Sequence, residues 1–268
     1  MSSTPPPYFV YVDSRKRNGY PQGSDSSFSY TMNFPPGITY NRVTVVDLLC
    51  PKSYYLVNSS NTFQLKEVNT TVTISVPQGC YLLSTFKSQI SSLLTAASPN
   101  GWTYVVSYPT SGADTGMFTY TCSNNTSQPS LIFNNLFFEP FGFFPSSTNT
   151  FTSNTITSTC VIKLQAEDRL ILHCSLIDNP NTDDVLLSFN STSSVNYSSI
   201  SYVNYAPKET ARRLKNDASN TATFNLTDES GNLINLNNLN QTFTLMFFWE
   251  PDYYDILTKF VKLHLLKE

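Results

Sequence analysis

The side chains able to do chemistry are few: two histidines, His173 and His264, and five cysteines, Cys50, Cys80, Cys122, Cys160 and Cys174. A structural or catalytic metal needs ligands that converge, and neither histidine has a His, Cys or acidic partner at helix or strand spacing except His264 with Glu268 at the chain end. Cys50 or Cys160 as a nucleophile would need a histidine brought up by folding, and no flanking signature accompanies either. The acidic pairs Asp183-Asp184 and Asp252/Asp255 are the types glycosidase chemistry uses, but neighbours in a loop rarely face one substrate, so solvated turn acids are the expectation. The nine glycines form no phosphate-cradling loop. The sequence therefore predicts no enzyme, no catalytic or metal-binding residue and no cofactor.

Nucleic-acid binding is equally unsupported. The formal charge is -3, and the basic residues cluster only in Arg15-Lys16-Arg17 and around Arg212-Arg213 and Lys215. Exposed turn charges or ion pairs between subunits are the expected roles. Charged residues make up 13% of the chain, about half the usual quarter, and the polar positions are filled by Ser, Thr and Asn instead. Such a surface suits broad, wet contact with other protein surfaces. The N-terminus lacks an apolar signal core and no stretch reaches membrane-span length, so a protein kept in a reducing compartment is expected, with Cys50, Cys122 and Cys174 as buried free thiols. The Asn-x-Ser/Thr sequons at Asn58, Asn69, Asn124, Asn125, Asn190, Asn196, Asn225 and Asn240 then follow from composition rather than glycosylation.

What positions these residues is a set of strands. Phe28, Tyr30, Met32 and Phe34 alternate with Ser29, Thr31 and Asn33, and the same two-residue period returns in Val72–Val76, Trp102–Tyr108, Phe118–Cys122, Ala222–Thr227 and Phe243–Trp249. One segment changes period: Phe86, Ile90, Leu93, Leu94 and Ala97 mark a helix face, with Ser84 or Thr85 as N-cap and Pro99-Asn100-Gly101 as its stop. Trp102–Tyr108 and Met117–Cys122 read as a hairpin, Leu131–Phe144 as a short helix and a turn, and Val161–Leu164 and Leu233–Leu236 as strands. After Pro251, Tyr253, Ile256, Leu257, Phe260 and Val261 recur at helical spacing. A last strand through Val261, Leu263 and Leu265 is the alternative.

This order predicts a mainly β protein: a single jelly-roll β-sandwich with an α+β insertion domain, the roll contributed by 1–67 and 149–268 and the insertion by 68–148. An immunoglobulin-like sandwich competes, but its Cys and Trp spacing is missing.

Tyr11-Val12-Asp13-Ser14-Arg15-Lys16-Arg17, Ser27-Phe28-Ser29-Tyr30-Thr31, Tyr40-Asn41-Arg42-Val43-Thr44-Val45 and Pro51-Lys52-Ser53-Tyr54-Tyr55 together resemble the opening of the penton, or minor capsid, proteins of virophages and polinton-like viruses. Val76-Pro77-Gln78-Gly79-Cys80-Tyr81, Asn100-Gly101-Trp102-Thr103-Tyr104, Phe138-Glu139-Pro140-Phe141-Gly142-Phe143, Gln165-Ala166-Glu167-Asp168-Arg169-Leu170 and the segment from Leu226 to Ile234 are similar to the same pattern, which is departed from at Cys80 and Pro140. The resemblance implies a virion capsid protein, assembled inside the host cell as a homopentamer at the fivefold vertices of an icosahedral DNA virus shell. It implies as partners further copies of itself, the major capsid protein and internal minor capsid proteins, reached through the arm Ser2–Phe9 and the tail Tyr253–Glu268, and a host receptor at the insertion. Neither a membrane span nor specific nucleic acid is expected. A carbohydrate-binding or host-attachment jelly-roll module is the alternative function.

Overall fold

A computed structural model describes residues 5–22, 24–58, 61–109, 112–178, 184–192, 196–215 and 219–251. Asp183, Asp252, Asp255, His264 and the whole predicted tail element lie outside these residues, as do the first residues of the N-terminal arm. Along the chain come β1 (Tyr8–Asp13), β2 (Ser27–Thr31), β3 (Arg42–Pro51), β4 (Thr62–Glu67) and β5 (Thr70–Ser75), then the helix α1 (Leu83–Ala97). They are followed by β6 (Thr103–Ser107), β7 (Thr119–Ser123), β8 (Ser130–Ile132), β9 (Thr148–Thr150) and β10 (Thr155–Thr157). The last are β11 (Arg169–Cys174), β12 (Val185–Asn190), β13 (Ser199–Val203), β14 (Arg212–Arg213), β15 (Thr221–Thr227) and β16 (Thr242–Phe248). The fold is mainly β, built of several antiparallel sheets in the manner of a β-sandwich.

The chain divides into two compact units, one of residues 1–54 with 167–268 and one of residues 55–166. These limits lie outside the expected insertion of 68–148 on both sides. The reason is pairing. β4 bonds to β5 and β8, while β9 bonds to β8 and β10 to β7, so both flanking stretches complete the sheets of the second unit.

In the first unit, one sheet runs β1-β16-β3-β13 with β14 also on β3, and the other runs β12-β11-β15-β2. Their inner faces supply alternating apolar residues, and Phe224 of one sheet meets Phe243 of the other edge-on with ring centroids 5.0 Å apart. Phe28 and Met32 point inward as their alternation predicts. Leu233–Leu236 is not a strand; only a single bridge joins Leu233 to Thr227, because the Asp228 carboxylate binds the amides of Ser230 and Asn232 and curls the connection.

The second unit consists of the sheets β10-β7-β6 and β5-β4-β8-β9 and α1, which buries Phe86, Ile90 and Leu94. The helix starts two or three residues earlier than read from sequence. Leu82 is its N-cap, and Thr85, expected as a cap, instead accepts from the Leu82 amide through its hydroxyl. The 131–144 run is also different: Ser130–Ile132 is a strand and Glu139–Phe141 a single 3-10 turn. Val161–Leu164 forms no strand, and Ile162 and Lys163 instead bond to the carbonyls of Gly116 and Glu139.

That 3-10 turn places Phe141, fully buried, among Phe63 at 4.7 Å, Phe133 at 4.8 Å, Phe137 at 5.2 Å and Phe86 at 5.4 Å between centroids. Pro140 fixes the first turn and Gly142, at φ 73°, ends it in the left-handed region. A Cβ at Gly142 would stand 2.5 Å from the Cys160 carbonyl oxygen and 2.8 Å from Ser158 Oγ. Gly142→Ala is therefore expected to destabilise this unit by about 2–3 kcal/mol, through strain at a positive φ and the forced shift of a backbone carbonyl. A thermal melt that matches the parent would contradict it.

Candidate interaction surfaces

Folding disperses the chemically equipped residues. Among the described residues no group of three or more His, Cys, Asp and Glu side chains gathers for a metal ion, and no helix is long and apolar enough to cross a membrane. Burial pushes the Cys50 and Cys174 thiols up to about 12, so neither supplies thiolate near neutral pH. Cys122 is also buried, while Cys80 and Cys160 are half-buried, and none of the five forms a disulfide. In the native protein a thiol reagent is expected to modify at most Cys80 and Cys160 quickly, the other three reacting only on unfolding. Mass spectrometry of the labelled chain counts them, and fast native labelling of Cys50 or Cys174 would refute this.

His173 has an environment its sequence neighbours did not announce. From β11 its Nδ1 lies 2.8 Å from Asp184 Oδ1 and its Nε2 3.0 Å from Thr227 Oγ1 of β15. Hydroxyl, imidazole and carboxylate stand in the order of a hydrolase relay. Thr227 is buried on strand β15, however, and the cavities described below are lined by none of the three, so the arrangement ties neighbouring strands together. The signal available in the sequence was only His173 alternating outward from Leu172.

Several residues of the basic clusters bond within the protein. Arg15 grips the Asp13 carboxylate with Nη2 at 2.7 Å, and this bond holds Asp13 below the usual carboxylate range. Arg17 is buried, with Nη1 2.7 Å from Asp25 and 2.8 Å from the Ser14 carbonyl oxygen. Arg213 faces Asp178 at 3.8 Å, and Lys215 Nζ donates to the Ser175 carbonyl at 2.6 Å. Lys16 and Arg212, in the same clusters, are exposed.

What the first unit does present is a difference between its two outer sheet faces. On β2 and β15 the outward side chains bond across strands: Ser27 to Asn225 at 2.8 Å, Ser29 to Thr223 at 3.2 Å and Thr31 to Thr221 at 3.0 Å. This ladder of hydroxyls and amides satisfies its own polar groups. On the other sheet Tyr11, Thr244, Asp47 and Val203 fall in one cross-strand row, with Phe9 and Leu49 in the rows on either side. Phe9, Tyr11, Leu49 and Val203 are each about half exposed, and Tyr205, just beyond β13, is 92% exposed. Apolar side chains gathered on one face while the other face is polar are the usual mark of contact with another protein.

Two clefts border the same sheet. One, about 460 Å³, is lined by Phe34, Ile38, Tyr40, Leu176, Phe247 and Trp249 among others. The second, about 450 Å³, is polar, with Arg42, Arg212, Arg213, Asp178, Glu209 and Glu250 in its walls.

No family model and no curated protein matches the chain. Among solved structures, the penton protein of mavirus is similar with a TM-score of 0.52 at 12% identity, over 91% of this chain and 99% of that one. A chain in the structure of the Sputnik virophage is matched at a TM-score of 0.43 and 13% identity, over 91% of this chain and 98% of that one, too far away to bear on the fold. Over nearly its whole length, then, the chain has a fold like that of the mavirus penton protein.

Proposed function

We propose that the chain is a structural virion protein, a penton capsid protein that closes into homopentamers at the fivefold vertices of an icosahedral DNA virus shell. The observation that carries this reading is the strand order of the first unit. Leaving aside the short β14, the eight strands in chain order give one sheet of first, eighth, third and sixth and another of second, seventh, fourth and fifth, the order of a jelly roll. The likeness of fold to a penton protein over both chains supports it.

The work of such a protein is mechanical. A fivefold ring needs a heterologous contact, one surface of each copy against a different surface of the next, with a rotation that closes. The half-exposed face of Phe9, Tyr11, Leu49 and Val203 is one of these two surfaces in the proposal, and the arm leading into β1 reaches the major capsid protein. The unit 55–166 is an insertion to which a host receptor would bind.

Mass photometry and negative-stain imaging of the purified chain test this directly. Rings of five are expected, and Leu49→Lys with Val203→Lys, which sets no like charge opposite Asp47, should return them to monomers while the melting temperature stays the same. A monomer that binds glycans and never forms rings, alone or with its major capsid protein, would replace the reading with that of an attachment module.

A further inference from the structure

Apart from the short β14, the two sheets of the first unit end in β1 and β13 and in β2 and β12. A strand at a sheet edge turns every second amide and carbonyl away from its partner, and an open row of such groups is a template for another chain. Three of these edges are closed or interrupted within the fold. The Tyr11 carbonyl, turned outward from β1, takes the Tyr30 hydroxyl at 3.2 Å. On β2 the outward carbonyl of Ser29 accepts the Asn18 amide at 2.8 Å. Along β12 the partners of Leu172 and His173 are Leu187 and Val185, so Leu186 is an extra residue that breaks the row.

The fourth edge is open. Ser199-Ile200-Ser201-Tyr202-Val203 carries no charge and no proline, and it keeps a single register against Pro51 to Asp47 of β3. The Lys52 amide donates to the Ser198 carbonyl and the Asn204 amide to the Val46 carbonyl, each at 2.8 Å, which sets the phase of the ladder. Even-numbered residues therefore bond to β3 and odd-numbered ones face away from it. The amides and carbonyls of Ser201 and Val203 meet no partner among the described residues. Both side chains are exposed, as are Leu49, opposite Ser201, and Tyr205, two residues past Val203.

We propose that the edge of β13 is a docking site for an extended segment of a separate protein, added as the next strand of the sheet through the main-chain groups of Ser201 and Val203. Unpaired backbone groups in a regular row are matched by one kind of occupant, another strand. Its side chains on the outer face would lie beside Val203 and Tyr205, so an uncharged segment with apolar residues at alternate positions suits the site, and it would extend the apolar face of Phe9, Tyr11, Leu49 and Val203. A second copy is the less fitting occupant. The other edges of its first unit are closed or interrupted, and β13 against β13 is a two-fold pairing, which has no place within a fivefold ring. That choice of occupant rests on the capsid reading; the open edge does not.

A short fluorescein-labelled peptide of alternating Val and Thr is the probe, with binding to the full chain read by anisotropy. It should bind the parent and slow hydrogen exchange at the Ser201 and Val203 amides. Ser201→Pro removes one outward donor while leaving the ladder to β3 intact, and it should weaken binding about tenfold or more. Ser201→Ala keeps the amide and should bind like the parent. Where Ser201→Pro does not fold, the same peptide N-methylated at every amide gives the answer on the parent, and it should not bind. Failure of the plain peptide to bind, equal binding by folded Ser201→Pro, or binding of the methylated peptide overturns the proposal. Dimers of the chain that Ser201→Pro dissolves overturn it as well and give the edge to a second copy. Peptide binding in a chain that never forms rings of five upholds the open edge and sinks the capsid reading alone.

Discussion

Replacing Arg17 by Met is expected to cost the first unit about 3–5 kcal/mol, the range seen when one partner of a buried ion pair is removed. The side chain is 4% exposed and its partner Asp25 11%. Besides Asp25 and the Ser14 carbonyl, the guanidinium donates to the carbonyls of Pro21 at 3.0 Å and Gln22 at 3.1 Å, and it lies 4.9 Å from the centre of the Tyr20 ring. One planar group therefore gathers the chain between β1 and β2 from several directions. Methionine fills the space but leaves Asp25 charged beside carbonyls without donors. Arg17→Lys keeps the charge yet offers donors from a single atom, so it should fall between the two, losing about 2 kcal/mol. Denaturant unfolding gives the sizes, and limited proteolysis should cut the variant within 14–25. A lysine variant as stable as the parent would mean the fork geometry is unimportant.

The second large effect belongs to the other unit. Glu67, fully buried at the end of β4, accepts from Ser98 Oγ at 2.7 Å and Tyr104 OH at 2.8 Å through Oε1, and from the Asn100 amide at 3.1 Å and Asn100 Nδ2 at 3.0 Å through Oε2. Its charge is met by neutral donors that close the end of α1, the turn after it and the start of β6. Glu67→Leu strands these donors in the core, with an expected loss of about 4 kcal/mol. Glu67→Gln keeps the shape but turns an amide group toward other donors, costing about 1–2 kcal/mol. Because the two units are separate compact bodies, unfolding can show two transitions, and Glu67 variants should move one while Arg17 variants move the other. Equal stability for Glu67→Leu and Glu67→Gln would show that the donors find water instead.

These two residues mark the boundary of what the sequence makes legible. Arg17 reads as one of three clustered surface charges, and Glu67 as the last residue of a short polar strand; nothing within a few positions of either names Asp25 or Tyr104 as a partner. His173 is similar, since its hydroxyl comes from β15 and its carboxylate from the residue before β12. The surface of Phe9, Tyr11, Leu49 and Val203 is assembled from three strands far apart in the chain, each contributing an outward residue that looks ordinary alone.

Period and composition, by contrast, are local. The inward settings of Phe28 and Met32 and of Phe243, Leu245 and Phe247, the helical face of Phe86, Ile90 and Leu94, and the apolar settings of Cys50, Cys122 and Cys174 follow from which side chains recur at two-residue or helical spacing and appear in the fold as read, whereas Met246 and Phe248 are buried against that alternation and Trp249 is exposed. Scarcity of charge and of reactive groups is likewise a property of the chain itself. Pairing decided the rest. Backbone hydrogen bonds between strands carry no residue code, so only the folded chain could assign β4, β9 and β10 to the second unit, bring Phe141 into its aromatic centre and turn Gly142 against the Cys160 carbonyl.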